Sequence, residues 1–162
     1  MTTPGSTRVT KPLGYTALKG WLRHRHPMIY LDRITDHEPG EFLTALLSVS
    51  GNLDCIVGHF PERAIYPGSH MIQAFAQCGI ILYQMSTRPL DDNELTVIGS
   101  VEARFFKVVV PGDQLIFSVE VDRVVSNTFV FKGKAEVDGQ RVAAFRSSLI
   151  RTRVEDMGGP LC

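Results

Sequence analysis

The sequence predicts an α+β fold, with a curled antiparallel sheet of about six strands wrapped round one long central helix, on three observations. An apolar run from Ser69 to Met85 is too long for a strand and has no solvated face. Two β-like runs precede it and four follow. The turns joining those runs are too short for parallel crossovers, so neighbouring strands must be antiparallel.

Residues 1–14, rich in Thr, Pro, Gly and Ser, lack apolar periodicity and read as a loose leader; the single domain is placed at 15–153, followed by a flexible tail at 154–162. Tyr15 to Arg23 suits a short helix with Leu18, Trp21 and Leu22 on one side, ended by His24-Arg25-His26-Pro27. Met28 to Thr35 reads as a strand. Pro39-Gly40 turns it into a second, where Leu43, Ala45, Leu47 and Val49 share one face. Gly58 to Gly68 reads as a loop carrying His59, followed by a Pro-Gly turn. Pro67 is tolerated only in a first helical turn and Ser69 can cap the free N–H groups, so the long helix starts between them. A polar loop from Ser86 to Asn93 leads into alternating runs at Leu95–Phe105, Leu115–Val121, Phe129–Val137 and Arg141–Arg151. Pro111-Gly112-Asp113, Ser126-Asn127 and the hairpin signal Asp138-Gly139 separate them.

Polar residues on the enclosed helix are confined to His70, Gln73, Gln77 and Gln84, which fall in one sector about 60° wide. Such a stripe either satisfies backbone groups of a neighbouring segment or lines a pocket or subunit interface; four in register beside a histidine loop favour the latter. A sheet curled round one helix also leaves edges to cover, for which a dimer is the economical solution.

Seventeen basic and seventeen acidic side chains cancel, which argues against broad nucleic-acid or membrane-surface binding. Cysteines 55, 78 and 162 are too few and too scattered for a disulfide framework or a zinc site, and fit a reducing cytoplasm. His24 and His26 lack the carboxylate or thiolate partners that would complete a metal site, so no metal is expected. No apolar run reaches membrane-spanning length.

His24-Arg25-x-Pro27 with Asp32-Arg33, Gly58-His59-Phe60-Pro61, Pro67-Gly68, Ala74-x-Ala76-Gln77, Ala103-Arg104-Phe105 and Val110-Pro111-Gly112-Asp113 occur in that order between Leu22 and Arg151. This ordered set resembles the β-hydroxyacyl-acyl-carrier-protein dehydratases of type II fatty-acid synthesis, which have the hot-dog fold. The resemblance implies a substrate held as a thioester on the phosphopantetheine of acyl carrier protein, entering a tunnel at a dimer interface and losing water between its α and β carbons. No other cofactor is implied. His59 stands at the family's base, and histidine titrates near neutrality, as removal of a weakly acidic α proton requires. The N–H of Gly68, at the positive end of the helix, is placed to stabilise the carbonyl oxygen as it gains charge. Phe60, Pro67, His70 and Gln77 are the expected substrate-binding neighbours. Arg104 and Lys107 are candidates for receiving an acidic carrier protein.

One position departs from the pattern. The family carries Glu or Asp on the helix five residues after the glycine, supplied from the opposite subunit to the histidine, and this chain has Gln73 there. A carboxamide hydrogen-bonds a hydroxyl but cannot protonate it. Three arrangements follow. The chain pairs with a related subunit that supplies the acid; or a homodimer works by altered chemistry, with Gln73 positioning water, His59 as base and then acid, and His70 assisting; or the protein is a non-catalytic partner, an acyl binder, or a thioesterase or isomerase on the same scaffold. The divergent site suggests specialised polyketide or polyene assembly.

Overall fold

The computed structural model describes residues 12–158. In chain order the elements are α1 (Tyr15–Trp21), β1 (Arg33–Glu38), β2 (Phe42–Ser48), α2 (Asp54–Gly58), α3 (Gly68–Ser86), β3 (Glu94–Phe105), β4 (Gln114–Val125), β5 (Thr128–Val137) and β6 (Gln140–Arg153), then a turn of 3-10 helix at Val154–Met157. The six strands form one antiparallel sheet in the order β1-β2-β4-β5-β6-β3. Its concave face wraps α3, which touches every strand from β2 to β6.

Alternation decides which side chains face the helix. Leu43, Ala45 and Leu47 of β2, Leu115, Phe117 and Val119 of β4, and Phe129, Phe131 and Ala135 of β5 are all buried. They meet Met71, Ala74, Phe75, Cys78, Ile81 and Leu82 of α3. Phe75 stacks on Phe131 at 4.9 Å and on Phe145 at 4.7 Å. Two glycines make this close packing possible. A Cβ on Gly79 would stand 2.3 Å from the Phe131 ring, and one on Gly133 would stand 2.1 Å from the Ser118 carbonyl oxygen and 2.9 Å from Phe75.

The structure departs from the sequence reading at several points. Leu13, assigned to the leader, exchanges backbone hydrogen bonds with Ile34 at 2.9 and 3.0 Å and packs on the core, and Gly14 caps α1; residues 1–11 of that segment lie outside the described residues. Only Arg33 onward joins β1, because residues 28 and 30 spend their backbone groups on α3 instead of on a strand. The stretch before His59 is not all loop, since α2 precedes it. The tail opens with the 3-10 turn, whose Val154 N–H donates to Asn93 at 2.8 Å, while residues 159–162 lie outside the described residues. Pro67 is the cap residue of α3, and its carbonyl accepts from the N–H groups of His70 and Met71; Ser69 makes no capping bond.

Candidate active site

His59 is held by its own loop. Phe60 and Arg63 exchange backbone hydrogen bonds, both 3.1 Å, closing a tight turn, and the Ile65 N–H donates to the His59 carbonyl at 3.2 Å. On the side chain, Nδ1 lies 3.1 Å from the Ile65 carbonyl oxygen. A carbonyl only accepts, so Nδ1 carries the proton and Nε2 keeps its lone pair free. The Phe60 ring stacks on the imidazole at 4.2 Å and is 52% exposed. One turn thus fixes the ring and its tautomer.

Ile65 leads directly through buried Tyr66 and Pro67 to Gly68 at the start of α3. The Gly68 N–H finds no acceptor among the described residues, the ordinary state of a first-turn donor, and it adjoins the positive end of a 19-residue helix. A Cβ here would meet the Phe105 ring at 2.9 Å. Glycine therefore lets an aromatic wall close over the helix end.

Gln73 lies just over one helical turn beyond Gly68 and is half-buried; its amide bonds to no residue among those described. Gln77 is different. It is fully buried, its Nε2–H donates to the Met28 carbonyl at 2.6 Å, and its Oε1 accepts from the Tyr30 N–H at 3.0 Å. With both ends of the amide occupied, the substrate-binding role expected of Gln77 is corrected to a structural one: it pins residues 28–30 across α3. Gln84 repeats the pattern, donating to the Trp21 carbonyl at 2.5 Å and accepting from the Leu90 N–H at 3.0 Å. The polar stripe is thus split, and its last two members are backbone clamps.

His70 stands between two tyrosines, edge-on to Tyr30 at 5.0 Å and to Tyr66 at 5.8 Å between ring centres, and its Nδ1 is buried without a partner among the described residues. Burial pushes its pKa below the ordinary histidine value, and the neighbouring His59 charge pushes the same way. Arg104 and Lys107 are exposed at the end of β3; Arg104 is 3.7 Å from Glu102, and Lys107 donates to Gln140. No group of three or more His, Cys, Asp or Glu suited to a metal occurs among the described residues.

Tyr30, Tyr66 and Cys55 line one space with His70, and the sequence does not mark them. They lie 36 and 11 residues apart in sequence (66 − 30 and 66 − 55), and nothing in local periodicity connects them. Polar residues amid apolar ones were the only signal.

A family model described as a FabA-like domain matches residues 22–146. A coronafacic acid dehydratase of Pseudomonas savastanoi pv. glycinea is 48% identical over 151 residues, covering 93% of this chain and 92% of that protein. A 3-hydroxyacyl-[acyl-carrier-protein] dehydratase FabZ of Colwellia psychrerythraea is 39% identical over 137 residues, covering 84% of this chain and 91% of its own. Among solved structures, the dehydratase heterocomplex ApeI:P from Xenorhabdus doucetiae superimposes with a TM-score of 0.71 at 15% identity, covering 86% of this chain and 93% of that one. A hot-dog-like protein from Thermanaerovibrio acidaminovorans gives 0.60 at 20%, covering 75% and 94%. These structures share the fold, and the sequence relatives extend beyond the core to both sides of the His59 loop, so this chain belongs to the FabA-like, β-hydroxyacyl-acyl-carrier-protein dehydratase family of hot-dog proteins.

Proposed function

We propose that the protein dehydrates a β-hydroxyacyl thioester carried on acyl carrier protein to the α,β-unsaturated thioester, in polyketide-type or fatty-acid-like synthesis. The observation that carries this reading is the His59 turn, which fixes the imidazole with Nδ1 on the Ile65 carbonyl three residues before Gly68, whose N–H at the start of α3 has no acceptor among the described residues. Nε2 of His59 takes the α proton. Electrons move toward the thioester carbonyl, whose oxygen the Gly68 N–H stabilises, and then form the new double bond as the β carbon–oxygen bond breaks. The departing hydroxide needs a proton. Gln73 can donate a hydrogen bond to it and no more. His59, which now holds the α proton, delivers it to the leaving oxygen, directly or through water, and is returned to its starting state.

A partner subunit supports the same reading. β3 is an edge strand of 12 residues, paired on one side with β6 alone, and Ile98, Val101 and Phe105 along it, followed by Phe106 and Val108, are each at least 42% exposed. A long, apolar, open edge is a template for another strand. A second hot-dog subunit pairing there would bury more than about 2,000 Å² and bring its own helix toward His59. Ultracentrifugation at micromolar concentration is expected to show no monomer. Arg104 and Lys107 at the end of that edge are the proposed contacts for the acidic carrier; reversing both to Glu should weaken carrier binding and flatten its salt dependence.

A second reading is favoured by Gln73 itself, whose unbonded amide stands where the family places its acid. A related subunit would then supply the carboxylate. Gln73→Glu in the chain expressed alone separates the two. A rise in dehydration of about 10-fold or more, near 1.4 kcal/mol of barrier, assigns the acid to an absent partner. Good activity of the native chain, slowed by Gln73→Glu, assigns both proton transfers to His59. In either background His59→Ala should lower the rate by about 10² to 10⁴; an unchanged rate would remove His59 from the chemistry.

A further inference from the structure

Close to the His59 turn the chain forms an open cavity of about 570 Å³, walled by residues 26–30, Asp32, the end of β2, the start of α2, Tyr66 and His70. That volume suits part of a small-molecule ligand. Its wall contains neither His59 nor Gln73. Its wall nevertheless continues the reaction site, because Tyr66 follows the residue whose carbonyl orients His59 and stands two residues before Gly68.

The chemistry of the wall is not that of an alkyl tunnel. Tyr66 is only 3% exposed, lines the cavity, and makes no side-chain hydrogen bond among the described residues. Among the described residues the Tyr30 hydroxyl has only the Met28 sulfur, at 3.9 Å, a weak acceptor. His70 Nδ1 has no partner among the described residues. Burial holds Tyr66 far above the ordinary phenol range, with Cys55, Tyr30 and Asp32 acting in the same direction, so these groups gather round one space. An acyl chain of methylenes alone would leave these donors and acceptors buried and unpaired, a penalty that a hydroxyl or carbonyl oxygen relieves. Asp32 and Asp54 also line the cavity, which disfavours an anionic group and leaves an uncharged oxygen as the match.

We propose that this cavity is a specificity pocket for an acyl chain bearing an uncharged oxygen, a hydroxyl or a ketone, beyond the β carbon. The inference rests on the dehydratase reading. It names the substrate class of that site: oxygenated acyl thioesters in preference to plain fatty ones.

The test uses the full-length protein, with whichever subunit gives activity, and carrier-bound β-hydroxyacyl thioesters matched in length whose δ or ζ carbon carries hydrogen, a hydroxyl, a ketone or a carboxylate. The kcat/KM for the hydroxyl or ketone substrate should exceed that for the unsubstituted and carboxylate ones by about 10-fold or more. Tyr66→Phe and Tyr30→Phe, which remove one oxygen each, should move that ratio toward one. A ratio of one in the native protein overturns the proposal, as does a ratio that both variants leave intact. If either variant fails to fold, the native ratio and the other variant still decide.

Should the protein dehydrate none of these substrates, the dehydratase reading fails by itself, and the pocket is tested by calorimetry with saturated pantetheine thioesters. Tighter binding of the δ-ketone than of its alkyl counterpart, lost in Tyr66→Phe, supports the pocket; equal binding overturns it.

Discussion

Gln73 and Gln77 occupy one face of α3, one turn apart, and the structure uses them in opposite ways. Gln77 is sealed between the helix and residues 28–30, with its amide nitrogen and its amide oxygen each bonded to backbone. Gln73 is half-open and bonded to nothing among the described residues. The same contrast holds between the two ends of the helix. The later turns are packed on Phe131 through Gly79 and clamped by Gln84, whereas the first two turns carry Gly68, His70 and Gln73 with polar valence unused among the described residues. Polar groups with full partners stabilise; polar groups without them, kept near a cavity, are available to a ligand.

Substitutions can break this contrast. The largest effect is expected from Gln77→Leu, which fills similar volume but strands the Tyr30 N–H and the Met28 carbonyl, and should cost about 2–4 kcal/mol in chemical denaturation. Gly79→Ala should cost about 1–3 kcal/mol, because the Phe131 ring must move to admit a methyl group. Gln73→Leu, the same chemical change as in the first case, should alter stability by no more than about 0.5 kcal/mol while lowering kcat. Equal destabilisation by Gln73→Leu and Gln77→Leu would abolish the distinction between the two ends.

A modest effect is expected in the loop that leaves α3. Arg88 bonds Glu94 through both nitrogens, at 2.7 and 2.8 Å, and the Asp91 N–H adds a bond at 2.9 Å. The Arg88 bonds first, and the Asp91 N–H second, hold the Glu94 carboxyl down to about 2 from the usual 4.5. The folded value lies below the unfolded one, so the stabilisation is present above the unfolded pKa and is lost as pH falls from there toward the folded value. Arg88 is half-exposed, which limits the gain. Glu94→Gln should lower Tm at neutral pH by no more than about 2–4 °C. Its curve should converge with that of the native protein as pH approaches the lower limit; curves that stay parallel would show that the pair contributes nothing through ionisation.

Local pattern was sufficient for much of this molecule. Alternation in β2, β4 and β5 identified the faces that meet α3, because a strand's side chains must point either to the helix or away from it. The Pro67-Gly68 boundary and the buried run after it located the central helix. The five-residue α2 left no such trace, since it is barely longer than one helical turn, and the pairing of Leu13 with Ile34 rests on a single long-range bridge.

What the sequence by itself determined is therefore the hot-dog architecture, the chemistry available at His59 and Gly68, and the absence of a carboxylic acid at position 73. Tertiary structure alone decided which glutamine is a clamp and which is free. It also decided that His59 presents Nε2, because its Nδ1–H is committed to a carbonyl six residues away, and that Tyr30, Tyr66 and His70 surround one cavity. The physical reason is that residue type and periodicity set which groups a helix face offers, whereas the partner each group finds depends on segments distant in sequence. Hydrogen-bond satisfaction, and with it the division between structural and reactive polar groups, exists only once those segments meet.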